Sequence, residues 1–379
     1  MVNELPGGDQ SALRHLNTRR VLQLLYSGPA MTVTAVANAT ELSRPTVQAI
    51  LTSLVDSELL RLDGHDAAKR GGRPAQRYRF NSDAGLVAGI DIGAHTIAVR
   101  IATLGGTLVA AVRRAVPTDA GHTSRVDLAI DVLTSAVPPG SGPLWAATVG
   151  TPGIVDEHGV VRLCVAIPEW TGVALAEEIG SRLGCPTTAM KDTNLAVLAE
   201  HRVGAAQNVP DALYVHVGHR LGVGLLVDGV PFTGRSGSAG EVGKHPAFGW
   251  EEAPSRLAAD AGLADPGSEA ASEWVFSKAR QGDPLPVAAV DAFAKTLAGG
   301  IGAMVLAMDP RLIVVGGGLA RAGAVIVDPI RRHLTAILYD VPPLALSALG
   351  EDAVAIGALE AARDQVRHLL VAKADSAAS

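Results

Sequence analysis

Gly89-Ile90-Asp91-Ile92-Gly93-Ala94-His95-Thr96 is the stretch on which the reading of this chain turns. An apolar strand beginning at Leu86 runs into Asp91 and stops at Gly93. That places a carboxylate at the strand tip with bare backbone beside it, where a phosphate or a metal-bound water can approach. Alone, an Asp-x-Gly after a strand is more often an ordinary turn, so the surroundings decide. Ile97 to Ala102 and Leu108 to Val112 follow as apolar strands joined by a Gly105-Gly106 hairpin. A helix over about 125–136, a buried strand over 144–149, a helix over about 173–183, a strand over 187–190 and a helix over 193–202 complete one α/β unit. A second unit opens in the same way. Strands over 212–217 and 221–227 meet at a glycine turn, and a long helix leads to a strand over 312–315 that ends in Gly316-Gly317-Gly318. Two α/β units with glycine-rich strand tips predict a duplicated fold with a cleft between two lobes.

With 379 residues the chain is long enough for two or three domains. Its 48% apolar content with only 3% aromatics suits tight helix-on-sheet packing. A formal charge of -6 argues against a protein that coats nucleic acid over its whole surface. The charge is uneven, however: residues 1–80 hold about ten Lys and Arg against about seven Asp and Glu, which leaves an acidic body behind a mildly basic head. Cys164 and Cys185 are too few for a disulfide framework or a cysteine zinc site, and read as small core residues of a protein in a reducing compartment. No apolar run long enough to cross a bilayer is expected, and Met1 to Gln10 lacks a signal pattern, so a cytoplasmic protein without a membrane partner is predicted.

The head reads separately. Leu13, Leu16, Val21, Leu24 and Leu25 recur at helical spacing until Ser27-Gly28-Pro29. Thr34 is the expected N-cap of a short second helix that closes near Thr40. Ser43 caps a third, with Pro45 in its first turn and Val47, Ile50, Leu51, Leu54 and Val55 as its apolar stripe. This is the spacing of a helix-turn-helix, and Arg44, Thr46, Gln48, Ala49 and Thr52 would face a major groove. A strand near Leu59 to Leu62 and the acid-free segment Lys69 to Phe80 predict a basic wing, in which Arg70, Arg73, Arg77 and Arg79 would meet phosphates. The expected division is a winged helix-turn-helix over 1–80, a turn-rich linker, and an effector-binding and dimerisation body over 86–379.

The motifs Ser43-Arg44-Pro45-Thr46-Val47, Gly72-Arg73-Pro74, Asp91-Ile92-Gly93, Gly150-Thr151-Pro152-Gly153, Pro168-Glu169-Trp170, Asp192-Thr193-Asn194-Leu195-Ala196, Gly218 to Gly224, Ala239-Gly240-Glu241-Val242-Gly243, Val315-Gly316-Gly317-Gly318 and Ala355-Ile356-Gly357-Ala358 occur in this order over nearly the whole chain. In sequence and spacing the chain resembles the ROK family of repressors and sugar kinases, in its transcriptional-regulator branch. The resemblance implies an α/β fold: an N-terminal winged helix-turn-helix followed by two ribonuclease-H-like lobes of the actin-like ATPase architecture.

The resemblance also says what has changed. It makes Asp192 the base that would take a proton from a sugar hydroxyl as it attacks a γ-phosphate. The sugar-binding Asn expected just before it is Lys191, whose ammonium, if turned toward Asp192, would depress the carboxylate's pKa. Gly93-Ala94-His95-Thr96 lacks the second glycine and the cation of the kinase phosphate turn, and Gly218-His219-Arg220-Leu221-Gly222 puts an arginine where backbone should meet ATP. Arg220 can instead meet another anion, such as a sugar phosphate, or face solvent in a structural role. The kinase histidine after Glu241 is Lys244, with His245 one place late, and no cysteine follows, so the family's zinc site is absent and 251–268 is expected to form a longer or more mobile replacement.

The ligand-binding candidates are therefore Lys191, Asp192, Asn194, Glu241, Lys244 and Glu269, with Glu273 as an alternative to Glu269. Asp91, Gly93, Gly218, Gly222 and Gly317 are expected to be vestiges of a nucleotide site. Neither a metal nor a cofactor is expected, and Asp192 is read as a vestigial base in a non-enzyme. The function expected is a repressor of carbohydrate-related genes that binds a double-stranded operator, senses a sugar or sugar phosphate, and works as a homodimer or tetramer. An ATP-dependent sugar kinase carrying a DNA-binding head is the alternative, and a regulator answering to a protein partner is a third reading.

Overall fold

The computed structural model describes residues 10–26, 28–65, 75–117, 119–218, 220–263 and 269–376. The head is built from α1 (Gln10–Tyr26), β1 (Met31–Thr32), α2 (Val33–Thr40), α3 (Arg44–Asp56), β2 (Leu60–His65) and β3 (Gln76–Phe80). Ser43 caps α3 by accepting the Thr46 N–H at 3.3 Å. The cap of α2 is Thr32, two positions before the expected Thr34, and its hydroxyl accepts the Ala35 N–H at 3.3 Å. Thr32 wins because it is still extended, paired with Arg77 in an antiparallel ladder, so that its side chain faces the first free N–H groups of the helix. Three antiparallel strands in the order β1-β3-β2 form the wing sheet. Its expected basic tip, with Lys69, Arg70 and Arg73, lies outside the described residues.

The body has two five-stranded sheets. The first comprises β4 (Leu86–Ile92), β5 (Thr96–Thr103), β6 (Leu108–Ala115), β7 (Leu144–Thr151) and, beyond the short pair β8 (Ile154–Val155) and β9 (Val161–Leu163), β10 (Thr187–Lys191), in the order β10-β7-β4-β5-β6. Helices α4 (His122–Ala136) and α5 (Leu175–Leu183) cover it. The second follows α6 (Asp192–Val203). It contains β11 (Ala212–Val217), β12 (Leu221–Val227), β13 (Val230–Pro231), β14 (Leu312–Gly316) and β15 (Leu344–Leu346), in the order β13-β12-β11-β14-β15. Helices α7 (Ala253–Asp260), α8 (Glu269–Arg280), α9 (Pro284–Met308) and α10 (Ala324–Thr335) enclose its outer core. Each sheet opens with an antiparallel hairpin and continues with parallel strands, the duplication expected from the two glycine turns.

The stretch expected to replace the zinc loop takes a defined form here, and one expectation is corrected. Residues 253–260 fold as helix α7, because Pro254 fits a first helical turn and Ala253, Leu257 and Ala258 form a buried stripe against α9. Helix α9 is long and apolar enough to cross a membrane by length and composition, contrary to the absence of such a stretch read from the sequence. Its Phe293, Leu297, Ile301 and Val305 lie in the core of the second lobe, so its apolarity reflects burial among helices and a sheet.

Between the two sheets lie α6 and the last helix, α11 (Ala353–Ser376). Helix α6 starts at the end of β10 in the first sheet and packs on β12 and β11 of the second; α11 starts beside the second lobe and packs on β4 and β7 of the first. The crossing is tight: a Cβ on Gly357 would come 1.8 Å from the Leu195 carbonyl oxygen, and one on Gly89 would come 2.3 Å from the Leu359 nitrogen. Helix α11 also joins body to head. Leu359, Ala362, Val366 and Leu370 share one apolar cluster with Val21, Leu25, Leu51, Leu54 and Phe80 of the head and with Val87, Ala102 and Trp145 of the first lobe. Tyr26 donates to the Leu104 carbonyl at 3.0 Å, and the Arg367 guanidinium lies 5.6 Å from its ring centroid. The fold changes between residues 80 and 86 while the packing is continuous.

Candidate ligand cleft and nucleic-acid interface

On the head, α3 buries Val47, Ile50, Leu51 and Leu54 and so presents Arg44, Gln48, Ala49 and Thr52 to solvent, with Thr46 half-buried. The Arg44 guanidinium donates to the Thr34 hydroxyl and so ties α2 to α3 across the turn. Gln48 reaches the Tyr78 hydroxyl at 3.3 Å and Thr52 at 3.4 Å, which orients its amide over the same face. Thr46 shares its hydroxyl with Ser43 at 2.7 Å. Arg77 is placed otherwise than expected. It is half-buried, and its Nε and Nη2 donate to the Ala30 carbonyl at 3.2 and 2.7 Å, so it braces the start of β1 instead of extending toward phosphate. Arg79 pairs with Asp63 at 2.9 Å.

The candidate site is formed at the carboxyl ends of the parallel strands, where Asp91 of β4 and Lys191 of β10 in the first sheet and Gly316 of β14 in the second stand. Asp91 ends the apolar part of β4 and is 9% exposed. Burial, with the neighbouring Asp192 carboxylate adding to it, pushes its pKa up to about 7 against the pull of Arg113. The Gly93 N–H closes the next turn onto the Thr96 carbonyl at 2.9 Å. Beneath this turn lies Arg125 of α4, fully buried, which donates to the carbonyls of Gly93 at 2.7 Å, Ala94 at 3.2 Å, Pro117 at 3.3 Å and Ala120 at 3.2 Å. Above it, Arg113 donates to Thr96 Oγ1 at 3.3 Å and to Asp352 at 2.9 Å. Neither arginine stands out in sequence. An arginine near the start of a helix, or on an alternating strand, ordinarily faces water.

Lys191, at the tip of β10, is 4% exposed. Its ammonium pairs with Glu241 and donates to the Val223 carbonyl at 3.0 Å. It therefore faces the second lobe, and the expected fall in the Asp192 pKa does not follow. Burial raises the Asp192 pKa, outweighing the opposing pull of His216, Lys191 and the Thr193 N–H, which Asp192 accepts at 2.6 Å. Burial thus favours the protonated form of this carboxyl, which can donate a hydrogen bond to a ligand oxygen.

Gly218, Gly222 and Gly317 lie at the facing ends of β11, β12 and β14. Gly222 pairs with His216, and Gly317 holds φ at +90° with Val217 O only 2.5 Å from where a Cβ would stand. Arg220 leaves this turn to donate to Val165 O at 3.2 Å. The structure thus brings Asp91, Asp192, Lys191, Glu241 and His216 together. Asn194 instead turns into the core at 1% exposure, with its side-chain oxygen unpartnered. Lys244 pairs outward with Glu251 at 3.0 Å, and His245 accepts the Ala247 N–H at 3.2 Å as the cap of a short turn. Glu269 opens α8, but its side chain lies outside what is described; Glu273 pairs with Arg321 at 3.2 Å. Among the described residues no cluster of three or more His, Cys, Asp or Glu side chains is arranged to hold a metal.

A winged helix-turn-helix joined to a two-lobed, actin-like kinase fold with a polar interlobe cleft defines the class. Residues 87–365 match the ROK family and residues 17–64 match the IclR helix-turn-helix domain, so the chain belongs to the ROK family. Relatives fall on both sides of the kinase–repressor divide. The chain is 24% identical over 314 residues to a glucokinase of Thermotoga maritima, covering 73% of this chain and 97% of that protein. It is 21% identical over 369 residues to the xylose repressor of Bacillus subtilis, covering 92% and 95%. A ROK family transcriptional regulator, described as a homologue of the E. coli Mlc protein, shares the fold over 96% of this chain and 99% of its own with a TM-score of 0.74 at 19% identity. A ROK family glucokinase from Streptomyces griseus in complex with glucose and AMPPNP covers 74% of this chain with all of its own, at 26% identity and a TM-score of 0.61.

Proposed function

We propose that this chain is a DNA-binding transcriptional repressor of carbohydrate-related genes that senses a sugar or sugar derivative, a sugar phosphate among them, in its interlobe cleft and has lost sugar-kinase activity. The observation that carries the reading is Lys191. Its buried ammonium engages Glu241 and Val223 beside Asp192, so a cation tied to the second lobe stands where the kinases' sugar-binding amide is expected, while the cleft keeps polar partners for hydroxyls. Full-length alignment with a xylose repressor, head included, supports the same reading. On this reading the protein works in the cytoplasm as a homodimer or tetramer, in which a two-fold pair of α3 helices would fit half-sites about one helical turn, or a multiple of that, apart. Arg44, Thr46 and Gln48 read the operator, and Lys191, Asp192 and Glu241 contact the effector.

The test is footprinting of the full chain on DNA flanking its own gene, with and without D-xylose, D-glucose and their phosphates. Protection of a discrete site that one of these compounds shifts supports the reading; absence of any sequence-selective protection overturns it. A second reading, an ATP-dependent sugar kinase with a DNA-binding head, is favoured by the retained Asp192. ADP release over a panel of aldohexoses, hexosamines and pentoses, abolished by Asp192→Asn, would establish it.

A further inference from the structure

Among the described residues, Arg100 and Arg113 of the first lobe pair at an exposed site with Asp352, whose neighbour Glu351 is tied to Arg321 of the second lobe, and three further contacts cross directly between the lobes. Lys191, at the end of β10, reaches Glu241 and the Val223 carbonyl. The backbone of Gly237 lies against β8, so close that a Cβ there would come 2.0 Å from Val155 O. Arg220 donates to Val165 O at 3.2 Å. The last two part at small cost, since Arg220 is exposed and water replaces its single bond. Lys191 and Glu241 are different. The lysine is 4% exposed and the glutamate side chain 22%, and Glu241 and the Val223 carbonyl both belong to the second lobe, so opening takes the ammonium from its ion-pair partner and its hydrogen-bond acceptor at once. That carbonyl is already shared, because Thr193 Oγ1 donates to Val223 O at 2.9 Å. Lys191 also immediately precedes α6, the helix that leaves the first sheet to pack on the second, where relative motion of the lobes has to be absorbed.

We propose that the Lys191–Glu241 pair is a built-in latch between the lobes: lobe separation is gated by a buried ion pair that the chain itself supplies. The inference concerns lobe motion in the free protein and stands whatever the effector is. Opening breaks the pair, and the same two side chains set how readily the cleft admits a ligand.

The latch is tested by measuring the interlobe distance with spin labels at Glu157→Cys in the first lobe and Arg256→Cys in the second, both with exposed side chains; Cys164 and Cys185 are buried and do not compete for label. No ligand is added. In Lys191→Met and in Glu241→Gln the ratio of long to short distances is expected to rise by roughly tenfold or more, and the charge-swapped Lys191→Glu/Glu241→Lys protein to return toward the parent distribution. Lys244→Ala, which removes an exposed pair within the second lobe, is expected to leave the distribution unchanged. Superimposable distributions for the parent and for Glu241→Gln, the variant that keeps the buried lysine and a hydrogen-bonding amide, would overturn the proposal even where Lys191→Met fails to fold.

Discussion

The two lobes each begin with an antiparallel hairpin and a turn at the cleft, and the two turns are held in opposite ways. The β4–β5 turn is fixed within its own lobe, with Arg125 beneath it and Arg113 above. The β11–β12 turn sends Arg220 out to the other lobe and shows no comparable buried brace among the described residues. The first lobe also shares a continuous apolar cluster with the head through α11, whereas the outer core of the second lobe is its own and, among the described residues, its inner face meets only α6 and the first turn of α11. Topology alone makes the lobes equivalents. Their packing makes the first lobe and head one body and leaves the second lobe as the part whose position a ligand can set.

That contrast predicts its own largest effect at Arg125. Replacing it with Met at similar volume leaves the carbonyl oxygens of Gly93, Ala94 and Ala120 without this donor, while Pro117 O keeps the Ala120 N–H, and although the change also removes a buried charge, the lost acceptors at about 1 kcal/mol or more each dominate. Urea unfolding should show a loss of about 3 to 5 kcal/mol, with hydrogen exchange accelerated at Thr96 and Val116 in the first lobe and not in β11 or β12. A loss below about 1 kcal/mol, or one spread equally over both lobes, would erase the distinction between the turns.

Next in size is the acid at the first strand tip, which has no counterpart at the end of β11. Asp91 titrates near 7 in the folded chain and near its ordinary 3.8 when unfolded, so the folded state keeps a proton that the unfolded state has released. Its contribution makes stability fall as pH rises from about 4 to about 7 and then level off, by at most about 4 kcal/mol. In Asp91→Asn that fall should disappear. The variant is then expected to be more stable than the parent at pH 8 and equal to it near pH 4, as read from unfolding midpoints across that range.

What could be read from sequence follows the same division. Strands β11 and β12 and the Ser43 cap are found where residue pattern places them, because alternation, glycine turns and capping side chains are local signals. The cleft is not local. Lys191 and Glu241 belong to different lobes, and nothing near either residue announces that they meet. Arg125 was invisible for a related reason: its partners are backbone carbonyls, which carry no sequence signature. The uniting role of α11 was equally hidden, since Ala355-Ile356-Gly357-Ala358 marks a close approach without saying to what. Even Thr32 was chosen over Thr34 as the cap by a strand pairing with a residue far along the chain.

If head and first lobe move as one body, sequence choice on DNA should rest on α3 side chains that lie outside the cleft, whatever the cleft does to operator affinity. Gln48→Ala removes an amide oriented by Tyr78 and Thr52 over the reading face. A loss of about 1 to 3 kcal/mol in specific operator affinity is expected, with non-specific affinity and its salt dependence nearly unchanged. Competition binding against unrelated DNA measures both. An equal drop on every sequence would mean that the face contacts phosphates only.

The smallest effect bears most directly on the second turn. Arg220→Ala removes one exposed hydrogen bond between lobes, worth about 0.5 to 1.5 kcal/mol at most, and because Arg220 contributes nothing to either core the global unfolding midpoint should hardly move. Protection of the Leu221 and Val223 amides should fall in hydrogen exchange, while Gly93 and Thr96 keep theirs. The asymmetry between the turns requires that pattern. If Arg220→Ala instead loosened the β4–β5 turn as much as its own, the lobes would be coupled through their rims, and the cleft would open as a symmetric pair of jaws rather than by movement of one lobe against a fixed partner.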